Sequence, residues 1–232
     1  MDISVVIPAY NEEEVISGTI DEVKIFLQQN FSDFEILVVD DKSTDSTLNI
    51  LKQREDIRLV RNLRNHGKGY SVAKGIKKAK GDWMIFMDAD NSTRISEIKN
   101  FLEYKDKYAV IIGSRALKES DVQVSQSFLK VFLGKAGNLL SRILINPKIK
   151  DTQCGFKVFA RHTQFIFDKL TIEGFAFDFE LMFLAKKFDF DIKEVPVVWH
   201  NNADSAVRWH HYPHTLTLLF KIRLNNLLGK YN

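Results

Sequence analysis

The chain of 232 residues is 45% hydrophobic and carries 33 basic against 30 acidic residues, which gives a net charge of +3. This composition predicts one folded domain, or two small ones, and excludes a disordered chain, a collagen and a polyelectrolyte coat. The single cysteine excludes an internal disulfide and a Cys-rich zinc or iron–sulfur site. No apolar stretch reaches the roughly 18 residues that span a bilayer, and the first residues lack the basic region of a signal peptide. We therefore expect a cytoplasmic protein that does not itself cross a membrane.

The first 115 residues alternate short apolar runs of β type with segments of helical period. Strands are predicted at 3–10, 35–41, 57–62, 83–90 and 109–115, and helices at 12–29, 44–53, 68–79 and 94–104. After residue 115 the pattern predicts an amphipathic helix at 127–145, a helix near 175–188, a strand at 192–199 and a last helix near 213–228. Continuous apolar strands favour a mostly parallel sheet that is buried on both faces, so we expect an open α/β fold. Ligands of such folds bind at the carboxyl ends of the strands.

Acidic side chains follow two of the predicted strands. Asp88 and Asp90 end the run WMIFMDAD, and oxygen ligands placed in this way suit a hard cation such as Mg²⁺ or Mn²⁺. The alternative is a strand-end turn in which an Asp caps a helix. Asp40 and Asp41 end the run EILVVDD, where a carboxylate could accept hydrogen bonds from a ribose or a base, although Asp41 or Ser43 could equally cap the next helix. Neither a P-loop nor a dinucleotide-binding glycine motif is present.

Seven motifs occur in order between residues 4 and 185: VVIPAYNEE, VVDDKSTDST, HGKGYSVAKGI, FMDAD, GSR, DTQCGFKVF and FDFELMFLA. Together they resemble the inverting glycosyltransferases of family 2, and the last two resemble the subgroup that loads a sugar onto a polyprenyl or dolichyl phosphate. The resemblance implies a GT-A fold, an open and mostly parallel sheet flanked by helices, with C-terminal amphipathic helices. It also implies a catalytic domain over 1–200, with a nucleotide-sugar half (1–115) and an acceptor half (116–200), followed by an interfacial segment (201–232).

The resemblance also assigns roles to single residues. Asp88 would contact the sugar nucleotide and Asp90 the metal, while Arg115 would lie near the phosphates. Lys130 would meet the phosphate of the acceptor, and Arg208 would replace a lysine of the family. Ser92 stands where some relatives have a glutamine, so the resemblance does not carry over a third protein ligand to the metal. The remaining nucleotide-sugar contacts would come from Pro8, Ala9, Tyr10, Glu12, Asp40, Lys68 and Gly69.

These assignments predict an Mg²⁺- or Mn²⁺-dependent hexosyltransferase that moves a sugar, with inversion, from a nucleotide-diphospho-sugar to a polyprenyl phosphate. UDP-glucose and GDP-mannose are the donors we expect. A phosphate acceptor is already ionised at neutral pH because its second pKa is about 6, so no strong general base is required. If the acceptor were a sugar hydroxyl instead, Asp178 or Glu180 would be the candidate base. A third reading is a catalytically silent sugar-nucleotide-binding or membrane-scaffold module.

The basic charge is concentrated in two segments without a single acid, 122–150 and 205–232, which together hold nine Lys and Arg residues. The amphipathic stretch 127–145 could pack on the sheet, as such helices generally do. Basic charge without acid favours instead a helix at an anionic membrane surface, and the C-terminal segment has the same character. We therefore expect peripheral binding to the cytosolic face of a membrane. A membrane-protein partner or a homo-oligomer is compatible with this expectation. The basic segments lack the stacking aromatics of a nucleic-acid site.

Overall fold

A computed structural model describes residues 1–123, 145–146, 148–200 and 212–232. Its strands are β1 (Ile3–Ala9), β2 (Phe34–Asp40), β3 (Arg58–Arg61), β4 (Trp83–Met87), β5 (Val110–Ser114), β6 (Asp121–Gln123), β7 (Phe156–Ala160), β8 (Ile192–Pro196) and β9 (Val198–His200). Its α-helices are α1 (Ile16–Asn30), α2 (Thr47–Lys52), α3 (Lys68–Lys78), α4 (Ile98–Leu102), α5 (Phe177–Lys187) and α6 (Tyr212–Leu227). Short 3-10 helices cover Ile95–Glu97 and Arg161–Lys169.

Seven strands form one sheet in the order β3-β2-β1-β4-β7-β5-β8. The neighbours β3, β2, β1 and β4 pair in parallel, and β5 pairs in parallel with β8. Strand β7 runs antiparallel to both β4 and β5. The carboxyl ends of β1, β2, β4 and β5 therefore lie at the same edge of the sheet as the amino end of β7. A small parallel pair, β6 with β9, lies apart from this sheet.

The sheet is covered on both faces, as the continuous apolar strands predict. Side chains alternate across a strand, so Val5 and Ile7 of β1 pack with α1, whereas Val6 packs with α3. The first layer also contains α4, and the second contains α5 and α6. These two layers confirm the predicted open, mostly parallel α/β architecture.

The C-terminal helix α6 packs on this domain through one face. Leu219, Ile222 and Asn225 are buried, whereas Phe220 and Leu224 are exposed. The apolar pattern of the C-terminal segment predicts that Leu219 inserts into a membrane. This prediction is wrong, because Leu219 is buried in the second core layer. The predicted helix at 127–145 lies outside the described residues except at its last position. Among the helices of the described ranges, none is both long enough and apolar enough to traverse a bilayer.

Candidate functional site

Three strand ends meet at one edge of the sheet, and each is followed by a residue in the left-handed region of backbone space. Asn11 after β1 has φ 57°, Lys42 after β2 has φ 65°, and Asn91 after β4 has φ 54°. Few non-glycine residues adopt this conformation, and those that do concentrate in turns and at functional sites. The chain thus turns sharply at this edge three times.

The loops after β1 and β2 are joined to each other by hydrogen bonds. The Thr44 backbone N–H donates to Asn11 Oδ1 over 2.8 Å, and the Glu12 N–H donates to Thr47 Oγ1 over 2.8 Å. The Ser46 N–H donates to Glu13 Oε2 over 2.7 Å. These contacts fix Glu12 above the end of β1, where Ala9 is buried, Pro8 is partly buried and Tyr10 is 44% exposed.

Asp88 lies directly after β4 and pairs with the first residue of α3. Lys68 Nζ lies 2.6 Å from Asp88 Oδ1, and the same ammonium group lies over the rings of Phe86 and Phe175. Burial opposes the charge of Lys68, but the carboxylates of Asp88 and Asp178 raise the pKa of its ammonium group. A Cβ atom at Gly155 would overlap the Asp88 carboxylate. The chain just before β7 therefore contacts the Asp88 carboxylate, most closely at Oδ2, whereas Lys68 pairs with Oδ1.

The residues after Asp88 are tied to helix α1 and to their own backbone. Asp90 is partly exposed, and its Oδ1 accepts a hydrogen bond from the Ser92 N–H over 3.0 Å. Thr19 Oγ1 donates to the carbonyl oxygen of Ala89 over 2.8 Å, and Asn91 Nδ2 donates to Glu22 Oε2 over 2.7 Å. The loop that carries both acids is thus held at two points.

A third carboxylate lies within electrostatic range of this pair. Burial, followed by repulsion from Asp90 and Asp88, raises the pKa of Glu12 to about 7. No group of three or more His, Cys, Asp or Glu side chains in the described part of the chain is arranged to hold a metal ion. The two acids at the end of β4 nevertheless provide only oxygen donors, in a partly exposed and acidic environment, which fits a hard divalent cation completed by ligands from a substrate.

The neighbouring acids Asp40 and Asp41 differ in their surroundings. Asp40 is fully buried, its Oδ1 accepts from the Ser43 N–H, and its Oδ2 has no hydrogen-bond partner among the described residues. Asp41 accepts three hydrogen bonds, from Asn62 Nδ2 and from the backbone N–H groups of His66 and Gly67. Asp41 therefore fixes the turn before α3 and does not cap α2, whose first N–H is instead bonded by Asp45.

The turn into α3 requires its two glycines. Gly67 has φ 101°, and a Cβ there would lie 2.8 Å from the carbonyl oxygen of Glu173. A Cβ at Gly69 would lie 2.5 Å from Phe177 Cβ. Gly69 is therefore packed against α5. Its neighbour Lys68 is the residue at the start of α3 whose side chain reaches Asp88.

Arg115 follows β5 and is held by Asp151, which precedes β7. The Arg115 guanidinium forms two hydrogen bonds to the carboxylate, from Nε over 2.8 Å and from Nη2 over 3.0 Å, and it lies over the ring of Trp199. Burial alone would raise the pKa of the Asp151 carboxyl, but Arg115 holds it below its ordinary value. The positive charge of Arg115 is thus fixed at the same edge of the sheet, within electrostatic range of Asp88.

The two acids of α5 do not face an opening of the site. Asp178 is 4% exposed and pairs with the buried Lys157, whose Nζ lies 2.6 Å from Asp178 Oδ1. Glu180 is fully buried, and its carboxylate accepts hydrogen bonds from Thr171, Ile172 and Tyr231. Both carboxylates are buried and already bonded in this structure, which argues against the conditional assignment of Asp178 and Glu180 as a general base.

The motif DTQCGFKVF supplies three contacts that the sequence did not assign. Asp151 binds Arg115, Gly155 contacts Asp88, and Lys157 pairs with Asp178. The signals in the sequence were an acid shortly before an apolar run and a lysine within that run. The predicted acceptor residue Lys130 and the predicted nucleotide contact Arg208 lie outside the described residues.

This geometry agrees with the comparison to known families. The family model described as "Glycosyl transferase family 2" matches residues 4–163, which include all three strand ends. The chain belongs to glycosyl transferase family 2. This confirms the family that the seven motifs indicate.

Several relatives within the family carry the same name. A dolichyl-phosphate beta-glucosyltransferase of Dictyostelium discoideum is 36% identical over 217 residues, which cover 85% of this chain and 66% of that protein. One of Trichomonas vaginalis is 34% identical over 88% of this chain and 65% of its own length, and one of Drosophila melanogaster is 34% identical over 86% and 67%. The chain thus spans about two thirds of the length of these relatives, and slightly less than that for the first two.

Solved structures share the fold at low sequence identity. A mannosyl-3-phosphoglycerate synthase from Rubrobacter xylanophilus matches with a TM-score of 0.73 and 18% identity, over 99% of this chain and 75% of that chain. A glucosyl-3-phosphoglycerate synthase from Mycobacterium tuberculosis, solved with Mn²⁺ and uridine-diphosphate-glucose, matches with a TM-score of 0.65 and 16% identity, over 99% and 78%. These similarities confirm the GT-A fold.

Proposed function

We propose that this chain transfers glucose, with inversion, from a nucleoside-diphosphate glucose to dolichyl phosphate. The observation that carries the proposal is the meeting of Asp88, Asp90 and Lys68 at the carboxyl ends of three parallel strands, in a family 2 chain whose relatives are named dolichyl-phosphate beta-glucosyltransferases. Glucose and dolichyl phosphate are supported by those names, and the donor site is supported by the geometry.

The donor would lie along the ends of β1, β2 and β4. Pro8, Ala9, Tyr10 and Glu12 border this edge. Asp40 Oδ2, which has no hydrogen-bond partner within the described ranges, is the acceptor that a ribose or base would use. Because Asp40 is fully buried, the nucleotide reaches it only after neighbouring groups move. Gly69 shapes the pocket indirectly, by letting α3 approach α5.

Asp90, together with Asp88, would hold a divalent cation against the diphosphate. When bound, such a cation stabilises the negative charge that develops on the departing nucleoside diphosphate. Lys68 lies beside Asp88 and supplies a fixed positive charge to the same region. Both acids are held in advance, Asp88 between Lys68 and Gly155 and Asp90 by the Ser92 N–H, so little reorganisation is needed during the reaction.

The acceptor phosphate attacks the anomeric carbon without a protein base. One of its oxygens forms the new bond to carbon, the bond from that carbon to the diphosphate breaks, and the electron pair leaves with the nucleoside diphosphate. A phosphate monoester is ionised at neutral pH because its second pKa is about 6. A sugar hydroxyl would need a base, and both candidate carboxylates are occupied by buried partners. The geometry therefore favours the phosphate acceptor over the hydroxyl acceptor.

Arg115 and Lys130 would receive the acceptor phosphate. Asp151 holds two of the nitrogens of Arg115, which fixes the guanidinium plane and leaves its remaining N–H groups for a phosphate. The role of Lys130 at the acceptor phosphate and that of Arg208 at the donor rest on the family resemblance alone. The domain assignment, with the acceptor half at 116–200, belongs to the same proposal.

The protein would reach its lipid acceptor by docking on the cytosolic face of a membrane. The outer face of α6 and the residue after it expose Phe220, Leu224, Leu227 and Leu228, and Lys221 and Lys230 are exposed nearby. Apolar side chains flanked by basic ones suit an anionic interface, where each basic residue contributes about 1 kcal/mol. The buried face of α6 anchors this surface to the domain.

The docking proposal is tested by sedimentation with vesicles of phosphatidylcholine and phosphatidylserine. Leu224→Ser with Leu227→Ser removes exposed apolar area and is expected to lower the bound fraction several-fold, since each buried methylene contributes about 0.8 kcal/mol. Ile25→Ser is the matched control, because Ile25 is 55% exposed on α1, away from this face. Equal sedimentation of the wild type and the α6 variant would show that this surface does not dock, and a homo-oligomer or a membrane-protein partner would then be the alternative.

The transfer itself is tested with purified protein, dolichyl phosphate in vesicles, Mn²⁺ or Mg²⁺, and either UDP-glucose or GDP-mannose as donor. We expect glucose to appear on the lipid phosphate and the product to be lost when the metal is chelated. Release of free sugar without lipid product, or transfer to a sugar hydroxyl alone, would overturn the proposal. Binding of nucleotide without any turnover would indicate the silent module instead.

A further inference from the structure

Two buried charges beneath the candidate site have no part in the mechanism above. Lys157 of β7 is 0% exposed and Asp178 of α5 is 4% exposed. Lys157 Nζ lies 2.6 Å from Asp178 Oδ1 and 2.6 Å from the carbonyl oxygen of Cys154. The pair thus joins the start of β7 to α5, and Lys157 stands two residues after Gly155, which contacts Asp88.

The same pair belongs to a row of alternating charges that ends at the site. Lys68 is attracted by both Asp178 and Asp88, and it pairs with Asp88 over 2.6 Å. The ring of Phe86 lies against both ammonium groups, 5.4 Å from Lys68 Nζ and 5.5 Å from Lys157 Nζ. Along this row, Asp178 lies between Lys157 and Lys68, and Asp88 follows Lys68.

Stability alone does not account for this arrangement. A buried ion pair is costly to desolvate, and replacement by uncharged residues of similar volume is frequently neutral or stabilising. The segment that carries Lys157 also places Gly155 against the Asp88 carboxylate, in contact so close that a methyl group would overlap it. Residues 154–157 therefore act on Asp88 in two ways, directly through the backbone of Gly155 and indirectly through the Lys157–Asp178 pair and Lys68.

We propose that Lys157 and Asp178 are positioning residues for Asp88. The Lys157–Asp178 pair holds the Lys68 ammonium group at its place beside Phe86, and Lys68 in turn sets where the Asp88 carboxylate lies relative to the donor. The inference rests on the proposed function in one respect only, namely that a nucleotide binds at the end of β4.

The test removes both charges while keeping the shapes of the side chains. The double variant Lys157→Met with Asp178→Asn leaves no unpaired buried charge and is expected to melt within a few degrees of the wild type. Calorimetry with UDP, or with GDP if UDP does not bind, measures nucleotide affinity with and without Mn²⁺. We expect affinity without metal to stay within about twofold, the gain in affinity on adding Mn²⁺ to fall about five- to tenfold, and kcat for transfer to fall about ten- to a hundredfold, because small displacements of a reacting group are costly.

A control separates positioning from general weakening of α5. Tyr231→Phe removes a hydrogen bond to Glu180, the other buried acid of that helix, and has no contact with Asp88. It is expected to lower the melting temperature while leaving kcat and the Mn²⁺ effect unchanged. Asp178→Asn alone is the second variant; it leaves the buried Lys157 ammonium group without its carboxylate partner, so we expect it to be less stable than the double variant and, in its folded fraction, to reproduce the loss of the Mn²⁺ effect.

The inference is overturned if the double variant folds and keeps the wild-type Mn²⁺ effect and kcat. It is also overturned if neither the double variant nor Asp178→Asn folds, because the pair would then serve the fold. Failure of the proposed function looks different: the wild type would not glucosylate dolichyl phosphate, while nucleotide affinity would still respond to Mn²⁺ and to these substitutions.

Discussion

Asp88 and Asp90 stand two residues apart, and so do Asp178 and Glu180, yet the two acidic pairs lie in opposite surroundings. The first pair follows a buried strand, and both of its members are partly exposed at the edge where three strands end. The second pair lies on α5, where residues two apart point in different directions, and each acid is buried with its own partners. The spacing is the same, so the element that carries the acids decides whether they can meet a substrate.

The substitution with the largest expected effect is Asp90→Asn, which tests whether the exposed pair serves the reaction. It removes one charged ligand from the accessible pair, and we expect transfer to fall at least about a hundredfold because a fixed charge at the departing diphosphate is lost. Thermal melting should change little, since the side chain is partly exposed. Transfer close to the wild-type rate would show that the pair at the end of β4 does not serve the reaction.

Gly155→Ala tests whether the position of the Asp88 carboxylate matters for transfer. The new methyl group overlaps the Asp88 carboxylate and must displace it, so we expect transfer to fall about ten- to a hundredfold. Gly18→Ala is the matched control, because a Cβ at Gly18 meets nothing within 4 Å and Gly18 lies within α1. The control should leave transfer unchanged and raise stability by about 0.5–1 kcal/mol. A Gly155→Ala protein as active as the control would contradict this placement of Asp88.

Glu180→Gln tests the buried pair. The amide cannot accept the hydrogen bonds of Thr171, Ile172 and Tyr231 as the carboxylate does, so we expect a loss of about 2–3 kcal/mol in the free energy of unfolding, measured with urea. Transfer by the folded fraction should be unchanged. A loss of transfer without a loss of stability would indicate that Glu180 takes part in the reaction.

The smallest expected effect concerns Glu12, whose pKa is raised to about 7 by burial and by repulsion from Asp90 and Asp88. A carboxyl with a raised pKa is bound more tightly to its proton in the folded state, so its contribution to stability decreases as the pH rises from about 4.5 to about 7. Glu12→Gln should therefore raise the free energy of unfolding, measured with urea, by an amount on the order of 1 kcal/mol at pH 8 and leave it unchanged near pH 4. Mn²⁺ should reduce the difference at pH 8. A constant difference at all pH values would contradict the repulsion.

The sequence predicts the strand ends well and the contacts between distant segments poorly. Asp88 follows a continuous apolar run, and such a run predicts both a buried strand and the polar edge at its end. The roles of Gly155 and Lys157 depend on β7 entering the sheet antiparallel between β4 and β5, which no local pattern indicates. Asp41 shows the same limit, because its three hydrogen bonds come from residues 62–67 and not from the helix that follows it. Leu219 was placed at an interface because hydrophobicity alone does not tell which apolar face of a helix packs inward.

The ion pair between Arg115 and Asp151 joins residues 36 positions apart and brings the chain back to the sheet at the start of β7. The two ends of this stretch are thus held together at one point of the sheet edge. Doubling the length of such an excursion costs only about 0.6 kcal/mol of loop entropy. Segments of different length can therefore join β6 to Ile145 while Asp88 and Gly155 keep their register, so a change of acceptor under the proposed function need not disturb the donor site.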